Sequence, residues 1–184
     1  MKNFIGAWFI DDISVCDDLI KYHKNSNLKN VGRTSNGIAP TEKISIDVPI
    51  SINSTNVVVD RYLNELEKIC KNYVEQYKFC DDYGAWSIVE DFNIQRYKSH
   101  EGYFDWHTER GANIAPQNSR HLAFMTYLND VTDDGETEFY YQKIKVKPQK
   151  GLTLIWPVDW THTHRGVTSK TQDKYIITGW YSFI

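Results

Sequence analysis

His107 and Glu109 stand two apart in Tyr103-Phe104-Asp105-Trp106-His107-Thr108-Glu109. On an extended strand, residues i and i+2 share a face, so an imidazole and a carboxylate would sit side by side. A second imidazole from a distant strand would complete a two-histidine, one-carboxylate face, the arrangement that holds a non-haem Fe(II) and leaves positions open for substrate. Asp159-Trp160-Thr161-His162-Thr163-His164-Arg165-Gly166 offers two. His162 and His164 alternate and would share a face, so either can be the third ligand and the other a pocket residue. Lys174 opens an aromatic, β-branched run ten residues after His164. A tight turn and an antiparallel return across that interval would bring its ammonium near the metal. Each signal is weak alone: His-x-acid triplets arise by chance, and a lysine at a strand start is most often a solvated edge charge.

Elements must exist to position these groups. Residues 3–10 read as a strand ending at Asp11-Asp12. Ser14 is placed to cap a helix over Val15–His23. Residues 24–54 are rich in Asn, Ser, Gly and Pro and read as a long loop, mobile or folded over something, with a strand near Ile44–Val48. From Asn56 to Tyr77, apolar residues recur at three and four (Val58, Tyr62, Leu63, Leu66, Ile69, Cys70, Tyr73, Tyr77), which predicts a helix burying one stripe against a sheet. After Gly84, short Val/Ile/Thr/Tyr/Phe/Trp runs alternate with turn clusters. Strands are predicted near 86–89, 92–98, 103–107, 120–128, 137–141, 143–146, 152–156, 162–166 and 174–182. This spacing points to an antiparallel sandwich or jelly roll with the helices outside one sheet. The fold class is therefore mainly β with flanking helices, in a single domain over 1–184: helical support and an N-terminal strand in 1–85, and a double-stranded β-helix core in 86–184.

Composition narrows the rest. A chain of 184 residues suits one domain with a real core. A net charge of −3 advertises no polycationic surface for nucleic acid. The aromatic share of 14% serves core and pocket walls. Cys16, Cys70 and Cys80 are an odd number without paired or zinc-like spacing, which argues for a reducing compartment. The N-terminal apolar run is interrupted by acids and is too short for a signal or membrane span. The expectation is a soluble, cytoplasmic protein, with no feature that specifies an oligomeric state.

The second half resembles the Fe(II)/2-oxoglutarate-dependent dioxygenase superfamily, and within it the prolyl 4-hydroxylase-like branch. The family pattern is His-x-Asp, a distal His, and a basic residue about ten positions later on a Lys-Tyr-x-x-Thr-x-Trp strand; His107, Glu109, His164, Lys174, Thr178 and Trp180 match it. Gln95-Arg96-Tyr97 resembles the family's tyrosine-bearing strand. Arg120 through Tyr127-Leu128-Asn129, Gly135-Glu136-Thr137-Glu138-Phe139, and Pro148 through Gly151 to Trp156-Pro157 are similar to further family segments, in order over residues 90–182. One departure is Glu109, where the family usually has Asp; the added methylene requires the metal or the strand to shift slightly. In halogenating relatives this position is a small residue, so an acid implies hydroxylation.

The resemblance implies that His107, Glu109 and His164 bind Fe(II), with the ten-residue gap to Lys174 favouring His164 over His162. It implies 2-oxoglutarate as cosubstrate beside O2, with ascorbate as a further candidate. A buried carboxylate needs a cation and hydroxyls. Lys174 is the candidate cation, with Tyr127 and Thr178 as hydroxyls, Tyr97 at the metal-proximal end, and Trp180 with Trp156 lining or backing the pocket. His100 reads as exposed in a turn and His121 as structural. Arg110 is a candidate guard of the pocket mouth, and Arg165 is a substrate contact or a structural salt bridge. The implied activity is hydroxylation of a peptidyl proline, or of a free amino acid or other small molecule. An open groove between 24–54 and 111–119 would favour a peptide and a closed lid a small molecule. A jelly roll that binds a ligand without turnover is the reading from outside the enzymes.

Overall fold

The computed structural model describes residues 2–111 and 115–184. Their strands are β1 (Gly6–Phe9), β2 (Asn30–Val31), β3 (Ile46–Ile50), β4 (Trp86–Ser87), β5 (Phe92–Tyr97), β6 (Arg120–Tyr127), β7 (Thr137–Phe139), β8 (Ile144–Val146), β9 (Leu152–Pro157), β10 (His164–Gly166) and β11 (Lys174–Phe183). Among the described residues an eight-stranded sheet runs β1-β9-β6-β11-β5-β3-β2, with β4 pairing β11, and a three-stranded sheet runs β10-β7-β8. All pairs are antiparallel. The large and small sheets are the two halves of a jelly roll. The strands of the first 85 residues extend the same large sheet through β1–β9 and β3–β5 pairing.

The period-two alternation of the strands divides the protein into two apolar layers. Along β6, Leu122 and Phe124 pack toward the helices while Ala123, Met125 and Tyr127 pack between the sheets. On β11, Tyr175, Ile177 and Tyr181 join the helix-side layer and Ile176 the inner one. The same alternation turns Lys174, Ile176, Thr178 and Trp180 toward one cavity.

Two helices cover the outer face: α1 (Ser14–Asn25) and α2 (Val57–Gln76). The α2 stripe of Val59, Tyr62, Leu66, Ile69 and Tyr73 is buried against the sheet. Asn56 caps α2, its side chain accepting from the Val58 N–H at 2.9 Å. Tyr62 anchors the helix through a buried hydroxyl bond to Thr126 at 2.9 Å, which continues to Thr153 at 2.7 Å. None of these helices is long and apolar enough to cross a membrane.

Four expectations change. Ser14 is inside α1 and does not cap it; Asp12 takes that work, accepting from the Ser14 N–H at 3.2 Å and hydroxyl at 2.5 Å. Residues 103–107 are not a strand. They make isolated bridges, Tyr103 with Lys43 and His107 with His164, because the chain changes partner between them. The strand near 162–166 begins only at His164, since residues 160–162 form a 3-10 turn. The strand near 137–141 stops at Phe139, which leaves Tyr140 and Tyr141 in the β7–β8 turn.

Gly179 marks the tightest crossing of β11. A Cβ there would lie 2.5 Å from Phe124 Cζ and 2.6 Å from Phe92 Cβ. Gly179→Ala is expected to cost about 1–3 kcal/mol by overpacking, read as a lower urea midpoint with an unchanged m-value.

Candidate active site

The structure brings His107, Glu109 and His164 together, with one ligand atom from each within 4.8 Å of the others. Glu109 Oε1 lies 3.6 Å from His107 Nε2 and 3.2 Å from His164 Nε2. The backbone sets this convergence. His107 and His164 exchange N–H···O bonds of 3.0 Å, and Glu109 N–H donates to Val158 O at 3.2 Å. His107 and Glu109 thus keep the shared face expected of i and i+2, although no regular strand carries them.

Both imidazoles are turned the same way. His107 Nδ1 lies 2.9 Å from Asp105 O, and His164 Nδ1 lies 2.9 Å from His162 O. A carbonyl can only accept, so each Nδ1 carries the proton and each Nε2 presents a lone pair. Burial holds His107 below its ordinary range, in the neutral form a metal ligand needs. Burial pushes the Glu109 carboxyl up, but the two imidazoles beside it outweigh burial and hold the group well below the usual carboxylate range. This donor set fits a divalent transition metal: two imidazole nitrogens and a carboxylate oxygen on one face.

The second carboxylate oxygen is spoken for. Trp180 Nε1–H donates to Glu109 Oε2 at 2.8 Å. The Arg120 guanidinium stacks on the Trp180 ring at 3.5 Å and donates to the Glu109 carbonyl at 2.8 Å. Glu90 clamps that guanidinium through bonds of 2.8 and 2.6 Å. On the other side, the Tyr103 ring stacks on His107, with centroids 3.6 Å apart and planes 8° from parallel. Trp180 therefore orients a ligand, a role the sequence pattern did not separate from wall-lining. Trp180→Phe keeps the ring and deletes the donor; about a 10–100-fold loss of Fe(II) affinity is expected, measured by anaerobic equilibrium dialysis, with the fold intact by circular dichroism.

The three ligands open onto a cavity of about 740 Å³. Lys174 lies on the same cavity and is 4% exposed. Its Nζ donates to Gly135 O at 2.9 Å and Val167 O at 3.3 Å, and lies 5.1 Å from the Tyr97 ring centre. Among the described residues its hydrogen bonds go to backbone carbonyls alone, and burial pushes its pKa down to about 8. A buried ammonium with only neutral partners, facing a cavity, is suited to an incoming carboxylate.

The remaining candidates fall differently. Tyr127 does not reach the cavity; its hydroxyl is buried against Thr137 Oγ1 at 2.6 Å and Val146 O at 3.0 Å. Thr137 stands in front of it on the cavity wall, so the wall hydroxyl there belongs to Thr137. The Gly-x-Thr turn motif carried that signal, and the sequence reading passed over it. Tyr97 and Thr178 both line the cavity with their donors committed, Tyr97 to Gln95 Oε1 and Thr178 to Phe124 O at 2.9 Å. His162 is no ligand: Nε2 lies 3.0 Å from Asn3 O and Nδ1 3.0 Å from Thr161 Oγ1. Arg165 pairs with Glu138 at 2.9 Å. Arg110 lines the cavity, held by Arg120 O and by Asp159 at 3.3 Å. His121 bonds to Cys80 O at 2.7 Å and is structural. Gly111 and Gln117 also line the cavity, while residues 112–114 of the segment 111–119 lie outside the described residues.

A jelly roll with a two-histidine, one-carboxylate face and a buried lysine on one cavity has the donor set of mononuclear non-haem iron oxygenases. A family model described as the 2OG-Fe(II) oxygenase superfamily matches residues 92–182. The chain belongs to the 2OG-Fe(II) oxygenase superfamily, whose members use Fe(II), 2-oxoglutarate and O2. Its likeness within the family is to prolyl 4-hydroxylases. It is 30% identical over 116 residues to probable prolyl 4-hydroxylase 9 of Arabidopsis thaliana, over 50% of this chain and 40% of that protein. The chain thus spans about two fifths of that relative's length. The fold matches the viral collagen prolyl hydroxylase of Paramecium Bursaria Chlorella virus-1, with a TM-score of 0.73 and 20% identity over 98% of this chain and 97% of the other. It also matches a Trichoplax adhaerens prolyl hydroxylase in complex with a hypoxia inducible factor oxygen degradation domain peptide fragment, with a TM-score of 0.72 and 16% identity over 98% and 84%.

Proposed function

We propose that the protein is an Fe(II)- and 2-oxoglutarate-dependent dioxygenase that hydroxylates a prolyl residue in a peptide or protein, with release of succinate and CO2. The observation that carries this reading is the presence of His107, Glu109 and His164 on one cavity with a buried Lys174 whose partners are backbone carbonyls. Ferrous iron and 2-oxoglutarate, when bound, supply the activation of O2; the protein supplies position and a shielded site.

His107 and His164 would hold iron through Nε2, and Glu109 through Oε1. Trp180 keeps Oε2 occupied, so the carboxylate would offer a single oxygen to the metal. Lys174 would bind the distal carboxylate of 2-oxoglutarate, with the Thr137 hydroxyl beside it. Tyr97 can serve the cosubstrate by exchanging Gln95 for it. Trp156, Met125 and Ile176 give the cavity its apolar wall, which limits water around the ammonium and strengthens its attraction for a carboxylate.

The mouth favours a peptide. Asn30–Ser35 of the long loop form one wall and Trp106–Gly111 another, and the His107 and Glu109 side chains keep 17% and 15% of their surface exposed. A site that reaches solvent between two separate walls admits an extended chain. The named likenesses to prolyl hydroxylases support the proline assignment. The test is mass spectrometry of prolyl peptides and free amino acids after incubation with Fe(II), 2-oxoglutarate and ascorbate. One oxygen atom gained by a prolyl peptide supports the reading; oxygen in free amino acids alone refutes the peptide assignment. Absence of succinate formation under any condition refutes catalysis.

A further inference from the structure

Outside the cavity the surface carries a continuous row of aromatic rings that neither the triad nor Lys174 uses. Trp106 lines the cavity rim and is 37% exposed, and beyond it Tyr140, Tyr141 and Trp160 are 55%, 56% and 67% exposed. Neighbouring ring centres are 5.0, 5.1 and 5.7 Å apart, and each ring is turned 83°, 79° and 86° from the next. Three separate segments build the row: the stretch leading to His107, the β7–β8 turn, and the 3-10 turn before His164. Both ends are therefore tied to the metal ligands, with Trp106 next to His107 and Trp160 four residues before His164.

The row is held in place. Tyr140 N–H donates to Thr163 O at 2.9 Å, and Gln142 Nε2 donates to Thr161 O at 2.9 Å. The Arg165 guanidinium lies 4.4 Å over the Trp106 ring. Beside the row, Arg165 and Lys145 share Glu138 at 2.9 and 3.5 Å, and Arg110 pairs with Asp159 at 3.3 Å. Large rings left contiguous in water are a marked feature of a binding surface, and this row is continuous with the cavity through Trp106.

We propose that this row is a docking rack for the part of the substrate peptide beyond the hydroxylated residue, taken as an extended, proline-rich segment that leaves the cavity at Trp106 and runs over Tyr140 and Tyr141 to Trp160. The inference rests on the reading that the substrate is a peptide. Edge-to-face pairs leave notches between successive rings that accept flat apolar side chains. A polyproline II segment is already ordered before it binds and docks on aromatic-lined surfaces. At about 3.1 Å per residue, about five residues of such a segment cover the three ring-to-ring steps. Rigid rings fixed in advance add affinity at a low entropic cost.

The experiment compares two synthetic peptides with the same central target proline. The short one ends two residues from it on either side; the long one continues with six prolines at both ends. Both are measured by calorimetry and by turnover on the full chain and on the double variant Tyr141→Ala/Trp160→Ala. The wild type is expected to bind the long peptide at least tenfold more tightly than the short one. The variant is expected to bind both alike, with peptide-independent succinate formation unchanged. Equal affinity for both lengths in the wild type, or a length preference that survives in the variant, overturns the rack. So does binding of xylohexaose that the variant abolishes, which would assign the row to carbohydrate. Binding needs no turnover, so a length preference without hydroxylation upholds the rack and refutes the proposed reaction, while hydroxylation without a length preference does the reverse.

Discussion

His164→Ala is expected to leave a folded protein that neither retains ferrous iron nor turns over, whereas His162→Ala keeps both. The two histidines are separated by one residue and look equivalent as a pair, yet their surroundings are opposite. His164 Nε2 points at Glu109 Oε1 from 3.2 Å, and its Nδ1 proton is tied to the His162 carbonyl. His162 spends Nε2 on Asn3 O and Nδ1 on Thr161 Oγ1. Its ring thus ties the N-terminal segment to the 3-10 turn. Removal of His164 leaves two ligands, too few to hold the ion against water, and activity is expected to fall by at least about three orders of magnitude, a loss of about 4 kcal/mol of transition-state stabilisation. His162→Ala is expected to cost about 1–3 kcal/mol of stability through its lost bonds and little in iron affinity. Anaerobic Fe(II) dialysis together with urea unfolding separates the two outcomes. Iron retained by His164→Ala and lost by His162→Ala would invert the assignment.

The same pair shows what the sequence carried and what it did not. Strict alternation put both histidines on one face, and the three-residue 3-10 turn that breaks it is a tertiary feature, closed by Asn3 from the far end of the chain. Where alternation runs unbroken, as on β11, the three residues that the family resemblance singled out, Lys174, Thr178 and Trp180, stand an even number of residues apart, and the structure turns all three to the cavity. The period of three and four in α2 likewise located a buried stripe. Donor commitments were out of reach. Tyr127 and Thr137 bond to each other across two strands, and which of the two hydroxyls faces the cavity depends on the depth of β6 relative to β7. Residues 103–107 have the composition of a strand, but a strand also needs one continuous partner, and Tyr103 and His107 bond to different ones. Trp180 was legible as a pocket wall; its grip on Glu109 requires a particular ring orientation fixed by Arg120 and Glu90.

Lys174→Met is expected to weaken 2-oxoglutarate binding by about two to three orders of magnitude while Fe(II) affinity stays within a few-fold of the wild type. Removing one partner of a buried, hydrogen-bonded charge pair costs about 2–5 kcal/mol, and Lys174 contacts none of the three metal ligands. The pH dependence makes the assignment sharper. Burial lowers the Lys174 pKa from 10.5 to about 8 in the protein without cosubstrate. The unfolded chain therefore binds more protons than the folded one between about pH 8 and 10.5, and stability rises with pH across that window. A bound carboxylate reverses the desolvation penalty and raises the ammonium's pKa. Above about pH 8 cosubstrate binding must then take up a proton, and affinity falls with rising pH by up to about tenfold per unit. Calorimetry in two buffers of different ionisation enthalpy reads this uptake directly. In Lys174→Met both the uptake and the alkaline rise in stability should vanish together, because one titrating group is responsible for each. A variant that still took up the proton would place the cosubstrate's cation elsewhere on the cavity wall, with Lys43 and Arg33 the cationic side chains left on the long-loop side.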